Sequence, residues 1–265
     1  MTLEQYYLIC AYILAGVLGL CVGSFLNVVI YRLPNEMNLA KPSSHCTTCD
    51  YVLRWYDNIP VLSYIMLGGK CRKCKNPISP RYMLVEIFNA LLWVLSAHLF
   101  WEQNILYAVL SAVVLSTLVC IFFIDLEHML IFDRFVLIIV AAGITAIFCD
   151  SFTEWHDHLI GSLAVGGFFL LVYCVAIMVL GKEGLGFGDV KLAFAAGLLL
   201  GWQRMLLAML IASVSASVIL LIVKHKRGDE NGKEYPFGPF IAVGIAIALL
   251  VGEPIITWYV SLLRI

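Results

Sequence analysis

Apolar residues run along this chain in long blocks parted by short polar gaps. Eight blocks have the length of a bilayer-crossing helix: residues 6–30, 84–101, 105–124, 130–148, 159–180, 187–202, 205–223 and 237–263. A helix needs about 20 mostly apolar residues to cross the hydrocarbon core, within a range near 17–25. The sixth block is short and glycine-rich, and Gly181, Gly184, Gly186 and Gly188 stand before or within its start. The predicted fold class is therefore all-α, a polytopic membrane protein of about eight transmembrane helices. Only one polar insertion is sizeable, between the first and second helices. The expected divisions are a first helix over 1–32, a cytoplasmic loop domain over 33–83 and a membrane domain over 84–265.

Composition supports the lipid-facing reading. Of 265 residues, 62% are hydrophobic and 13% charged, whereas soluble domains are about half apolar and a quarter charged. The formal net charge of −1 says little by itself, because the charges are clustered, and no long basic tail points to nucleic acid. Residues 1–5 hold no basic residue, and the apolar run after them is longer than the core of a cleavable signal, about 7–15 residues. No internal repeat or low-complexity tract is evident.

Charge placement sets the expected orientation. With the N-terminus outside, the inner segments carry Arg32, Lys41, Arg54, Lys70, Arg72, Lys73, Lys75, Arg81, Arg134, Lys182, Lys191, Lys224, Lys226, Arg227 and Lys233, and the outer ones carry Arg204 and Arg264. Basic residues accumulate in cytoplasmic loops, so the polar insertion is expected in the cytosol.

That insertion holds four of the nine cysteines, as Cys46-Thr-Thr-Cys49 and Cys71-Arg-Lys-Cys74. Two CxxC knuckles at this separation suit a closed four-thiolate zinc shell, a structural rather than catalytic arrangement. Disulfides are rare in the reducing cytosol, and a piece of about 50 residues needs such a staple. The bland reading is four free thiols or a redox pair. His45 adjoins Cys46 and is expected to stand aside. Cys10, Cys21, Cys120, Cys149 and Cys174 lie singly in apolar runs, as small hydrophobes.

Few carboxylates touch the apolar blocks: Glu86, Asp125, Glu127, Asp133, Asp189 and Glu253. An ionisable group at membrane depth is a functional candidate. Asp125 ends the third block, which runs inward. Asp189 opens the sixth, after two further crossings. Parity brings both to one face although 64 positions separate them. Two carboxyls in one site of low polarity share a proton, the arrangement with which aspartic proteases activate water. Taken singly, each aspartate could simply mark a helix end. Gly184, Gly186 and Gly188 tilt the balance, because glycine lets backbone approach closely. Asp133, Glu127 and Glu86 are expected at the interface.

Read together, several stretches resemble the type IV prepilin peptidases. They are Gly23-Ser-Phe-Leu-Asn-Val-Val-Ile-Tyr-Arg-Leu-Pro34, both CxxC knuckles, Trp55-Tyr-Asp-Asn-Ile-Pro60, Gly69-Lys-Cys-Arg-Lys-Cys74, Tyr82-Met-Leu-Val-Glu86, Ile124-Asp125, Gly186-Phe-Gly-Asp-Val-Lys-Leu192 and Pro236-Phe-Gly-Pro239. The resemblance implies a bacterial inner-membrane aspartic endopeptidase with Asp125 and Asp189 catalytic. Its substrates would be type IV prepilins or the pseudopilins of secretion systems, cut at the cytoplasmic face behind a short basic leader. It also implies N-methylation of the freed amine by S-adenosylmethionine. No glycine-rich nucleotide fingerprint marks a methyl-donor pocket. Gly23, Asn27, Asn58 and Glu86 are the candidates, and for Asn27 a helix-packing contact weighs equally. Thr47 and Phe132 stand where many relatives carry proline. The rival readings are a peptidase without methyl transfer, a proton- or cation-coupled transporter, and a zinc-stabilised scaffold.

Overall fold

The computed structural model describes residues 3–181, 185–227 and 235–263. Among the described residues there are nine α-helices and no strand. The chain divides into two compact units, Met1–Trp101 and Glu102–Ile265.

In the first unit, α1 (Leu3–Arg32) packs against α3 (Pro80–Phe100). Small residues allow the approach. A methyl group on Gly19 would lie 2.7 Å from Ala90 Cα, and one on Gly23 would lie 2.8 Å from Glu86 Cα. Asparagines stitch the same seam: Asn89 donates to the Gly19 carbonyl at 2.8 Å, and Asn27 to that of Tyr82 at 3.0 Å. In hydrocarbon such side-chain hydrogen bonds and small-residue packing replace the hydrophobic drive. Arg32 closes α1 by donating to the carbonyls of Asn38, Leu39 and Pro42. α3 starts on Ser79, whose hydroxyl accepts from the Arg81 N–H, with Pro80 at the first position. Between them lie a 3₁₀ turn, Trp55–Asn58, and the short α2 (Leu62–Met66).

The second unit is built around α4 (Ile105–His128), most of whose residues are buried by other helices. Asn104 caps it, accepting from the N–H groups of Leu106 and Tyr107. Then come α5 (Asp133–Cys149), α6 (Trp155–Gly161), one π-helical turn (Ser162–Gly166) and α7 (Gly167–Leu180). α8 (Phe187–Arg227) and α9 (Gly238–Leu263) complete it.

Among the described residues, six helical stretches are long and apolar enough to cross a membrane. Two further features bring these six stretches to the sequence count of about eight. α5 has 17 residues, a rise of about 25 Å, at the short end for a span. The sixth and seventh blocks are the two helical segments of α8, divided by a non-helical break at Gly201 (φ 75°, ψ 168°). That positive φ suits glycine.

A buried polar knot sits beside the break. Arg204, only 2% exposed, donates to the Leu200 carbonyl at 2.8 Å and the Tyr107 hydroxyl at 3.2 Å. It also donates to Asp150 and Thr153. His158 packs alongside, with Nδ1 2.9 Å from the Leu198 carbonyl oxygen. The sequence reading placed Arg204 among outer-loop charges; here it is paired inside the bundle.

Candidate functional site

Two constellations carry chemistry, one in each unit. In the second unit, Asp125 lies in the last turn of α4, and Asp189 in the first turn of α8, where its N–H donates to the Gly186 carbonyl at 3.0 Å. Both are buried, Asp125 at 5% and Asp189 at 7% exposure, whereas the Asp133 side chain is 71% exposed. Asp133 is engaged with Lys191, two positions beyond Asp189. That contrast separates Asp125 from its neighbour in sequence.

The surroundings tie the two carboxyls to one place. A methyl group on Gly238, at the start of α9, would sit 2.5 Å from Asp125 Oδ2 and 3.2 Å from Ile131 Cδ1. One on Gly188 would sit 3.0 Å from Ile131 Cβ, and one on Gly186 would sit 3.3 Å from Asp189 Oδ2. The ends of α4, α8 and α9 therefore converge on the 129–132 linker, and the two carboxyls lie in electrostatic reach of each other. Asp125 Oδ2 is buried without a hydrogen-bond partner among the described residues. Such an oxygen carries a desolvation cost and is available to a water or a substrate group. Gly184 lies outside the described residues. Glu127 is exposed, and Glu253 accepts from the Thr257 hydroxyl.

Gly238 falls within the Pro236–Pro239 stretch. The structure explains why a side chain fails there: it must displace the Asp125 carboxyl. Gly238→Ala is expected to lower the turnover of any reaction at this pair by roughly 10- to 100-fold, since a misplacement near 1 Å can cost that much. Thermal unfolding should move little, because the flexible carboxyl yields. Steady-state kinetics beside a melting curve checks this.

In the first unit, the four cysteine sulfurs lie within 4.8 Å of one another. Cys46 and Cys74 approach to 3.8 Å, and Cys49 and Cys71 to 3.9 Å. Metal–sulfur bonds of about 2.3 Å in a tetrahedron require sulfur separations of about 3.8 Å, so the quartet fits a tetrahedral thiolate shell. The thiols are shifted in opposite directions. Backbone N–H groups of Thr48 and Cys49 bring the Cys46 thiol down to about 6. At Cys49 the Tyr51 N–H acts downward, but burial and the neighbouring sulfurs prevail and push it up to about 11. Four thiolates this close need a cation among them. His45 faces the Ser43 carbonyl instead.

The knuckles are structural duplicates, which the sequence did not reveal. In each, the first cysteine's N–H donates to the carbonyl five positions on, Tyr51 or Asn76, at 2.9 and 2.8 Å. In each, the residue after the second cysteine has positive φ, Asp50 at 52° and Lys75 at 62°. Isolated bridges His45–Val52 and Lys70–Pro77 close both.

Asp57 joins the two halves. Its buried carboxylate accepts from Arg72 Nε at 2.7 Å within the second knuckle, and from the Tyr51 hydroxyl at 3.1 Å just past the first. The Arg54 N–H adds a third bond at 3.3 Å, and Arg72 stacks on Tyr56. Burial alone would raise the Asp57 pKa; these donors, Arg72 foremost, outweigh it and hold the carboxyl below its ordinary range. A depressed folded pKa contributes stability at neutral pH that is lost only as pH falls through that depressed value. Asp57→Asn is expected to weaken metal retention by about 10- to 100-fold, read by competition with a coloured chelator.

The four methyl-donor candidates divide. Gly23, Asn27 and Glu86 meet at the α1–α3 seam, while Asn58 is exposed on the loop. Glu86 Oε2 accepts from the Val61 N–H at 2.7 Å. Val61 has φ 60°, and the Leu62 N–H reaches back to the Pro60 carbonyl, a tight γ-turn that is strained for a β-branched residue. Asn27 and Gly23 both serve helix packing.

Comparison with known proteins follows the division into units. Residues 17–100 match the model described as Bacterial Peptidase A24 N-terminal domain, and residues 112–221 match that of the Type IV leader peptidase family. A protein of Pseudomonas aeruginosa named prepilin leader peptidase/N-methyltransferase is 36% identical, across 95% of this chain and 94% of its own length. One of the same name from Stutzerimonas stutzeri is also 36% identical, with the same coverage. One from Aeromonas hydrophila is 35% identical over 92% of this chain and 91% of its own. No solved structure matches the chain.

Proposed function

We propose, from the premise that this chain belongs to the type IV leader peptidase family, that it cuts the basic leader from prepilin or pseudopilin precursors and methylates the amine so freed. The observation that carries the proteolytic half is the convergence of Asp125 and Asp189 on one linker, both buried, with an unpartnered oxygen on Asp125.

The chemistry follows from the pair. Of two adjacent carboxyls in a site of low polarity, one ionises and the other keeps its proton. The carboxylate takes a proton from water as that water attacks the scissile carbonyl. The carboxylic acid protonates the carbonyl oxygen. When the tetrahedral intermediate collapses, a proton passes to the departing amine and the pair returns to its starting state. The burial of both carboxyl-bearing residues keeps bulk water away.

Orientation rests on the basic segments of the sequence. They put the cysteine loop and the aspartate pair on the cytosolic side of the bacterial inner membrane. A precursor would then hold its basic leader in the cytosol and its hydrophobic helix in lipid, with the scissile bond at the boundary. The quartet Cys46, Cys49, Cys71 and Cys74 would hold a structural Zn²⁺, which ties the loop's two halves and has no open position for a substrate. S-adenosylmethionine, when bound, supplies an electrophilic methyl group. Glu86, Asn27, Gly23 and Asn58 remain the candidates to meet it. Three of them already serve the α1–α3 seam.

The test is incubation of the full-length protein in detergent with a precursor and the methyl donor, read by intact mass. The expected product lacks the leader and carries one added methyl group; omission of the donor leaves the same product unmethylated. A precursor left intact by folded protein would overturn the reading.

A further inference from the structure

The short helix α2 is tied to a membrane helix below that helix's first turn. Val61, which precedes α2, donates its N–H to Glu86 Oε2 at 2.7 Å. Glu86 stands six positions past Pro80, the first residue of α3, a rise of about 9 Å. Ser24 of α1 bonds the same carboxyl, so the acceptor is fixed between two spans. A helical side chain leans over the turn before it, which puts the Val61 N–H near the level of Tyr82. On α3, Leu84 and Phe88 flank Glu86 along the chain and are exposed. Lipid must cover them, so the bilayer reaches past Glu86 toward the start of α3. The start of α2 therefore lies at the rim of the apolar zone and not out in water. There α2 turns an apolar face outward: Leu62, Ile65 and Met66 are 51%, 63% and 75% exposed, and their spacing puts them on one side of the helix.

We propose that α2 is a membrane-docking helix, whose face of Leu62, Ile65 and Met66 rests in the interface of the bilayer that α1 and α3 cross and tethers the cysteine loop to lipid. The proposal needs α1 and α3 to span the membrane and is independent of the peptidase reading. A helix of five residues is too short to hold itself together in water. The Glu86 bond orders its start, through the positive φ of Val61, and lipid against the apolar face orders the rest. Trp55, on the 3₁₀ turn just before, is exposed as well, a residue type that favours the headgroup level. Charge suits the same occupant. Residues 33–83 hold seven basic and three acidic residues, and anionic headgroups attract such a segment. The competing occupant is the apolar helix of a precursor. Depth favours lipid, because the bilayer already covers Leu84 and Phe88 at this level, whereas a precursor arrives only in passing.

The experiment puts a benzophenone side chain in place of Ile65, of Met66 or, as the control, of Thr47 at the exposed tip of the first knuckle. The full-length protein is held in nanodiscs of phosphatidylglycerol and phosphatidylcholine, irradiated, and its adducts are identified by mass. The probes at Ile65 and Met66 are expected to join lipid acyl chains with a yield about tenfold or more above the probe at Thr47, and to do so equally with a precursor present. Lipid adducts no more frequent than at Thr47 overturn the proposal. So does a lipid adduct that gives way to a precursor adduct once precursor is added, which would make the face a substrate dock. If the bulky probe disturbs the loop, a diazirine side chain of methionine's length at Met66 decides by the same comparison.

Discussion

Asp125→Asn and Asp189→Asn should each lower precursor cleavage by roughly a thousandfold or more, while the protein still inserts and folds. Each carboxyl is assigned a proton transfer in the same transition state, and a positioned acid or base contributes about 10²- to 10⁴-fold. A thousandfold loss corresponds to about 4 kcal/mol of transition-state stabilisation. Asparagine keeps the shape of the side chain, so neighbours such as Gly238 and Gly186 are not crowded further. Because the two act as a unit, the double variant should lose little beyond either single one. Asp133→Asn is the control. Its side chain is exposed and its tie to Lys191 is a surface pair, worth at most about 1 kcal/mol, so its effect should be far milder. Single-turnover cleavage assays on the four variants check the ranking. If Asp133→Asn proved the more damaging, the wrong member of the pair has been chosen.

Cys46→Ser should release the metal and unfold the 33–83 loop. The described part of that loop holds one buried apolar side chain, Cys71, itself a proposed ligand. The loop's order thus depends on the shell and on the Asp57 clamp. Structural zinc contributes about 10–16 kcal/mol of apparent binding energy in small domains, far above what a loop of this size gains from burial. Serine is a poor ligand in place of a thiolate, and the remaining three sulfurs leave an open, weaker site. The expected results are loss of stoichiometric zinc by elemental analysis and rapid proteolysis within the loop, with α1 and α3 still protected. Because the knuckles are structural duplicates, Cys71→Ser should behave the same way. A protease-resistant loop without metal would contradict the assignment.

Which parts were legible follows from the physics of each signal. The aspartate parity needed only the order of the apolar blocks. The quartet was legible because CxxC spacing is a local constraint. The break in α8 was legible to within a few residues, because Gln203 and Arg204 interrupt the apolar run, whereas the positive φ of Gly201 that makes it was not. The burial of Arg204 was not legible either: charge counting assigns a cation to a side of the membrane, but Asp150, Thr153 and Tyr107 arrive from remote positions to bury it. Asp57 lay unnoticed inside a quoted motif, because its value comes from Tyr51 and Arg72 meeting it in space. Nor could a pattern of hydrophobicity single out α2, a short apolar stretch in a polar loop, until Glu86 was seen to hold Val61.

The most direct measurement is a structure of the enzyme with an uncleavable precursor analogue that carries a hydroxyl in place of the scissile carbonyl. The account predicts that the carboxyls of Asp125 and Asp189 both hydrogen-bond that one hydroxyl, beside Ile131 and Gly238. An analogue held by one of the two while the other faces elsewhere would contradict it.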